Sequence, residues 1–248
     1  FLRHYYECRG IEYNWFEDIL HVVESCTNGG QIDGFEFTIA TKKREHYRKR
    51  EEVALPSFPN GLLSVFTKYY PPEWLNDGIT AAAMDKFDIS YSISQNKIII
   101  PHHDINGNLV GIRGRALNEW EIENVGKYMP VKIEGQWYNH KLGMNLYGLY
   151  QNKKAITDEG IVYVFESEKA VMQMENFSLP NCAVAVCGSQ FNKYQLNLLL
   201  KNCYPREVVI CFDKEEEPGQ DKYFNKLWKI CKKYNQYCTF SFIYEGFI

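Results

Sequence analysis

From about residue 158 onward, apolar and polar positions come in alternating blocks. The run Ile161-Val162-Tyr163-Val164-Phe165 is β-branched and aromatic throughout, and residues 182–187, 207–212 and 239–244 repeat that character. Helical spacing separates these runs. Residues 167–176 read as a helix, residues 192–201 carry Leu196, Leu199 and Leu200 on one side, and residues 220–233 build an apolar face from Phe224, Leu227, Trp228 and Cys231. Uninterrupted apolar strands alternating with helices predict a mostly parallel sheet flanked by helices on both faces. Residues 158–248 are therefore expected to form one α/β domain.

Residues 1–157 are less regular and read as α+β. Aromatics mix with Pro71 and Pro72 over residues 61–74. Lys97-Ile98-Ile99-Ile100-Pro101 predicts a strand and residues 109–113 a returning one. Asp104-Ile105-Asn106-Gly107-Asn108 between them suits a hairpin turn, since Asn-Gly tolerates positive φ.

Composition narrows the class. The 248 residues are 45% hydrophobic and 24% charged, with 18 Tyr and 15 Phe, which argues against intrinsic disorder. A net charge of −3, with neither half basic, excludes bulk basicity as a route to nucleic acid but not a local basic patch. No apolar run approaches the roughly 18 residues of a membrane span. Arg3, Glu7, Arg9, Glu12, Glu17 and Asp18 rule out a signal peptide at the start. The chain opens at Phe1, as expected of a fragment or a processed protein. The eight cysteines, at 8, 26, 182, 187, 203, 211, 231 and 238, form no C-x-x-C pair. No zinc site is expected, only reduced and mostly buried thiols in a cytoplasmic protein. That location makes the glycosylation pattern Asn176-Phe177-Ser178 incidental.

Chemistry gathers at the predicted strand ends. Glu166 directly follows one apolar run, Asp213 follows another, and Glu215 lies two residues beyond. Ligands of open parallel sheets bind past the carboxyl ends of the strands, and carboxylates grouped there suit a divalent cation that takes carboxylate, water and phosphate oxygens. The run Asp213-Lys214-Glu215-Glu216-Glu217 is equally a solvated acidic loop. Gly188 opens a strand-to-helix turn that could approach a phosphate or simply be a tight turn. The basic run over residues 42–50 could touch a phosphate backbone or be an exposed helix face. Arg113, Arg115, Lys127, Lys132 and Lys141 are interleaved with Trp120, Tyr128, Trp137 and Tyr138, a mixture that suits single-stranded nucleic acid but, scattered like this, equally describes ordinary surface residues. His102, His103 and Asp104 could ligate a metal, but a solvent-exposed turn is the favoured expectation.

Taken in order, several motifs resemble one family. Residues 97–101, Asp104, Gly107, Gly111 and Gly114-Arg115 are similar to the basic subdomain of DnaG-type bacterial and phage DNA primases. So are Lys127-Tyr128-Met129-Pro130, His140-Lys141-Leu142-Gly143 and Leu146-Tyr147-Gly148-Leu149. Glu166, Gly188 and Asp213-Lys214-Glu215 fall where a TOPRIM domain has its glutamate, glycine and Asp-x-Asp. The resemblance implies a primase RNA polymerase core, with a basic N-terminal subdomain over residues 1–157 and a TOPRIM domain over residues 158–248, truncated at its C-terminal end. It implies metal-dependent nucleotidyl transfer that makes RNA primers from ribonucleoside triphosphates on single-stranded DNA. Glu166, Asp213 and Glu215 would hold Mg²⁺ or Mn²⁺. Arg115, Lys127 and Lys141, with Arg113 and Gly188, would contact nucleotide or template.

The departures from the family pattern carry expectations of their own. Ala170 stands where TOPRIM domains often have Asp, and Glu168 is the candidate substitute ligand. Glu215 replaces the usual Asp, and the Asp-Lys-Glu variant looks more phage-like than chromosomal. The zinc-binding and helicase-contact modules of the family are not expected within these residues, so partnership with a replicative helicase would run through missing flanks and primer initiation by this chain alone should be weak. A TOPRIM nuclease and a non-catalytic single-strand-binding module are the alternatives.

Overall fold

The computed structural model describes residues 54–177, 180–213 and 220–244, all within the unit Ala54–Ile248. The basic run at 42–50, Cys8, Cys26 and Glu215 lie outside the described residues.

Two short helices, α1 (Pro72–Asn76) and α2 (Ala81–Lys86), lead into the first sheet. Pro72 occupies the first position of α1, where its missing N–H costs nothing. The Thr80 hydroxyl caps α2 by accepting from Ala83 N. Strands β1 (Ser90–Ser92), β2 (Lys97–His103), β3 (Leu109–Ala116), β4 (Tyr128–Ile133) and β5 (Gln136–Tyr138) then form an antiparallel sheet in chain order. A one-and-a-half-turn helix, α3 (Glu119–Asn124), lies between β3 and β4. The turn predicted at 104–108 joins β2 to β3. Asp104 Oδ1 accepts from the Asn106 and Asn108 amides, and Gly107 has φ +87°. Pairing extends past the predicted strands, to His103 on one side and Ala116 on the other.

The second sheet is parallel, as the apolar runs predict. Helix α4 (Leu149–Glu159) leads into β6 (Ile161–Phe165). Then α5 (Glu168–Phe177), β7 (Ala183–Ala185), α6 (Lys193–Asn202), β8 (Glu207–Cys211), α7 (Gln220–Tyr234) and β9 (Thr239–Phe242) follow. The strand order is β7-β6-β8-β9. The chain thus leaves β6 to one side for β7 and returns to the other side for β8, which makes the gap between β6 and β8 the topological switch point. Val162, Val164, Val208 and Ile210 bury against Leu196 and Leu199 of α6 and Leu227 of α7. Cys182, Cys187, Cys203, Cys211 and Cys231 are free buried thiols. No described helix is long and apolar enough to cross a membrane.

The segment before α4 joins the two sheets. Tyr147 pairs through both backbone hydrogen bonds, each 2.9 Å, with Ala185 of the edge strand β7. Asn145 Nδ2 donates to His103 O at 3.0 Å, while Gln195 Nε2 donates to Asn145 O at 3.0 Å, so one short stretch is tied to β2 and to α6. A shared core collects Trp74, Met84, Phe87, Ile98 and Ile100 from the first part of the chain with Tyr147, Val171, Met172 and Ala183. Gly148 makes this close approach workable. Its φ is +82°, and a Cβ there would meet Val171 Cγ1 at 2.8 Å and Ala183 O at 3.3 Å. Gly148→Ala is expected to destabilise the fold by about 1–3 kcal/mol, read as a fall in Tm of roughly 2–4 °C per kcal/mol. Gly188→Ala, where an added Cβ meets nothing within 4 Å, should stay within about 0.5 kcal/mol. Equal Tm values for the two variants would contradict this account of the junction.

Candidate active site

Glu166 follows β6 immediately and Asp213 lies two residues beyond the end of β8. Because Phe165 is in register with Cys211, both carboxylates stand at the carboxyl edge of neighbouring strands, roughly 4.8 Å apart between strand axes. They flank the switch point. Asp213 is exposed. Glu166 is partly buried and receives Lys226 Nζ of α7 at 3.2 Å. Two oxygen donors at a solvent-reachable edge fit a hard divalent cation that keeps several waters.

The antiparallel sheet turns a cationic face towards this region. Side chains alternate along a strand, so Gly111, Arg113 and Arg115 share one face of β3. Their cross-strand partners on that face are His102, Ile100 and Ile98 of β2 and Pro130 and Tyr128 of β4. Glu168, the first residue of α5, reaches into it. The Glu168 carboxylate accepts from Arg113 Nη1 at 2.5 Å and from His102 Nε2 at 3.1 Å, with Glu168 and His102 each 1% exposed. Arg113 Nη2 donates to Tyr128 O at 3.4 Å, and Arg115 Nη1 donates to Tyr128 Oη at 2.9 Å. The two guanidiniums lie 5.3 and 5.5 Å from the Tyr128 ring centroid.

Burial would raise the Glu168 carboxyl, but the His102 hydrogen bond and the Arg113 charge overcome it and hold it down at about 2. Burial lowers His102 below its usual value against the pull of Glu168, and the Arg113 charge adds to the lowering. His102 is accordingly neutral, and its Nε2 carries the proton that the carboxylate accepts. Arg113 then supplies the positive charge. His102, Glu168 and Cys187 place one N, one O and one S donor within 4.8 Å of each other, a set able to hold a metal, but the guanidinium already sits on the carboxylate oxygen. Burial, with His102 and Arg113 close by, pushes His140 down to about 3.

A second cluster of charge adjoins the acidic edge. Asp77, at the end of α1, pairs with Lys169 of α5. That contact, with Arg115 and Lys127 further off, keeps the Asp77 carboxyl below the usual range. Partial burial and the like charges of Arg115 and Lys169 lower the Lys127 ammonium, while Asp213 and Asp77 oppose the shift. Arg115, Lys127, Lys169 and Asp213 therefore share one electrostatic neighbourhood.

The other residues singled out in the sequence have different surroundings. Glu168, grouped there with the metal ligands, is engaged by Arg113 and His102. Lys141 is exposed, just before a 3-10 turn whose Gly143 carbonyl accepts from Asn192. Gly188 follows Cys187, which carries the positive φ of this turn at 56°. Helix α6 begins only at Lys193, where Asn192 and Gln195 form a capping box that takes the Tyr194 and Gln195 amides. The expectation of a solvent-exposed His102–His103 turn is overturned. Both histidines are buried, at a bulge in the last pairing of β2, because β2 continues through them beneath Tyr147 and Tyr150. The sequence reading missed Lys169, Lys226, Asp77 and the Glu168–Arg113 pair. A charged residue two places after Glu166 and a histidine ending an apolar strand were the available signals.

No protein-family model matches the chain. It is 36% identical over 217 residues to the SPbeta prophage-derived uncharacterized protein YorJ of Bacillus subtilis, covering 85% of this chain and 56% of YorJ. It is 28% identical over 206 residues to the DNA primase of Buchnera aphidicola, covering 83% of this chain and 30% of that one. The chain thus spans little more than half of one relative and less than a third of the other. Among solved structures, the E. coli primase catalytic core superposes with a TM-score of 0.55 at 18% identity over 75% of this chain and 71% of that one. The DnaG primase catalytic domain bound to single-stranded DNA gives 0.54 at 17% identity over 74% and 68%.

The buried histidines set a pH dependence. An unfolded chain binds protons at His102, His103 and His140 below the ordinary value of 6.5, whereas the folded chain keeps these rings neutral. The unfolded state then holds more protons, so stability falls as pH drops below about 6.5. His140 acts over the window from 6.5 down to about 3. The Glu168 contribution is complete above 4.5 and is lost only as pH falls through about 2. Tm should therefore decline from pH 7 to pH 4, and His140→Gln should flatten that slope. A parallel slope in the variant would refute the assignment.

Proposed function

We propose that this chain, similar in sequence to a DNA primase and in fold to primase catalytic cores, is the polymerising core of a primase, of phage origin like its prophage relative. It would join ribonucleotides on a single-stranded DNA template by metal-dependent nucleotidyl transfer. What supports this reading is that the charges of Arg115, Lys169 and Asp213 all act on Lys127, with Asp213 and Glu166 at the ends of neighbouring strands. Cations suited to phosphates would then lie near carboxylates suited to a divalent cation.

In this reading Glu166 and Asp213, joined by Glu215, hold Mg²⁺ or Mn²⁺. When bound, the ion supplies activation of the primer 3′-hydroxyl and neutralisation of charge on the leaving pyrophosphate. Arg115 and Lys127 bind the triphosphate, and Lys169 adds charge from α5. Lys226 orients the Glu166 carboxylate. Lys141 and the exposed Lys132–Trp137 pair, 5.6 Å from ammonium to ring centroid, serve the template strand. The replicative helicase is the partner expected of such a core.

The test is incorporation of labelled ribonucleotides on single-stranded DNA with Mg²⁺ or Mn²⁺. Glu166→Gln and Asp213→Asn should abolish synthesis while leaving folding stability within about 1 kcal/mol of wild type, as for solvent-reachable positions. Arg115→Ala should weaken nucleotide binding, with a deficit that shrinks as salt rises. DNA degradation without nucleotides would move the reading to a nuclease. DNA binding indifferent to metal and to Glu166→Gln, without synthesis, would leave a binding module.

A further inference from the structure

Arg115 lies on the cationic face of β3, near enough for its charge to act on Lys127 and Asp77, yet little of the protein holds it. Among the described residues, its one hydrogen bond runs from Nη1 to Tyr128 Oη at 2.9 Å, and its Nε is buried with no partner. Whatever places Tyr128 therefore places Arg115.

Tyr128 is placed by Arg113, which lies over its ring and donates to its carbonyl. Arg113 is in turn fixed by Glu168 at 2.5 Å. Glu168 is separated from Glu166 by a single residue, Ser167, in the passage from β6 into α5. A continuous path of side chains thus runs from the acidic strand end to the phosphate-binding cation. We infer that Glu168 is a positioning residue for the nucleotide site: through Arg113 and Tyr128 it sets where Arg115 presents its guanidinium. The inference rests on the primase reading and deepens it.

Stability alone accounts poorly for the arrangement. Replacing a buried ion pair by apolar residues of similar volume is commonly neutral or favourable, whereas a fixed pair specifies geometry. Here the planar guanidinium of Arg113 has one nitrogen on the parallel side of the junction and the other on β4, so it couples the two sheets at one distance. Glu168, Arg113 and Tyr128 touch no reacting atom. They act by narrowing the positions open to Arg115.

Tyr128→Phe is the discriminating variant, because it removes only the oxygen that Arg115 holds and keeps the ring. ATP with Mg²⁺ is the probe. Its dissociation constant is measured by calorimetry beside KM and kcat for ribonucleotide incorporation, with Tm recorded for each protein. Tyr128→Phe should weaken ATP binding and raise KM by about three- to tenfold, the range for one hydrogen bond to a charged group acting indirectly. Its kcat should stay within about twofold, as expected when only binding is lost. The Tyr128→Phe/Arg115→Ala double variant should be no worse than Arg115→Ala, since both act on one contact. Glu168→Gln keeps the acceptor oxygen and removes its charge, and it should raise KM in the same way along with a lower Tm. Unchanged affinity in Tyr128→Phe, additive losses in the double variant, or a fall in kcat alone would each overturn the inference. Should wild type bind ATP without incorporating ribonucleotides, the primase reading fails while the affinities still decide the role of Glu168. No ATP binding by wild type would sink both.

Discussion

Glu168 places a full negative charge at a junction that water hardly reaches, and the surrounding structure is arranged to answer it. The carboxylate comes from the first turn of α5, the guanidinium from the middle of β3, and the imidazole from the last pairings of β2. These elements lie 55 and 66 residues away in sequence. Removing one partner from such a buried pair would leave the other charged and desolvated, at a cost of roughly 3–5 kcal/mol. The pair therefore tolerates little drift between the two sheets. Neutral His102 completes the shell without adding a second positive charge that burial would oppose.

The backbone reinforces that restriction where side chains alone could slide. Tyr147 borrows the edge of β7 for two hydrogen bonds, and the Tyr147 ring then stacks on Phe87 at 5.5 Å and leans on His102 at 5.0 Å. One residue so links the parallel sheet, the α2 region and the histidine beside Glu168. The two sheets differ in chemistry for topological reasons. Parallel strands end together at a carboxyl edge, and that edge carries Glu166 and Asp213. Antiparallel strands present whole faces by alternation, and one face of β3 carries Arg113 and Arg115. Bringing an edge to a face sets carboxylates near cations while Asp213 stays exposed.

The parallel sheet was legible because its strands are apolar on both faces and its helices have clear stripes; Val162, Val164, Leu196 and Leu227 lie inside as their spacing implies. The antiparallel sheet was only half legible. Its central hairpin announces itself through Asp104 and Gly107, but β4 contains Pro130, which reads as a break, and β5 has three residues. The β4–β5 turn is Glu134-Gly135, with φ of 48° and 84°, a two-residue turn easily passed over when the first position is Glu rather than Asn or Asp. The strand-end carboxylates could be located by position alone. The partners of Glu168 could not, because a register two strands away decides which arginine faces it. The same limit hid Lys169, whose neighbours Asp77, Arg115 and Lys127 come from three separate parts of the chain.

In the proposed chemistry, the charge pattern accounts for the order of the site. A nucleoside triphosphate brings more negative charge than one divalent cation removes, so a cationic wall is needed in addition to the metal. Arg115 and Lys127 provide it from the antiparallel sheet, and Lys169 provides it from the helix that begins beside Glu166. Burial lowers Lys127 first, the like charges of Arg115 and Lys169 lower it further, and Asp213 and Asp77 oppose only part of that shift. A surface strained in this way by like charge gains most from an anion that touches all three cations at once. Holding Arg115 through Tyr128 rather than through a carboxylate is consistent with that demand. The tyrosine oxygen fixes its direction while leaving its charge to the incoming phosphate.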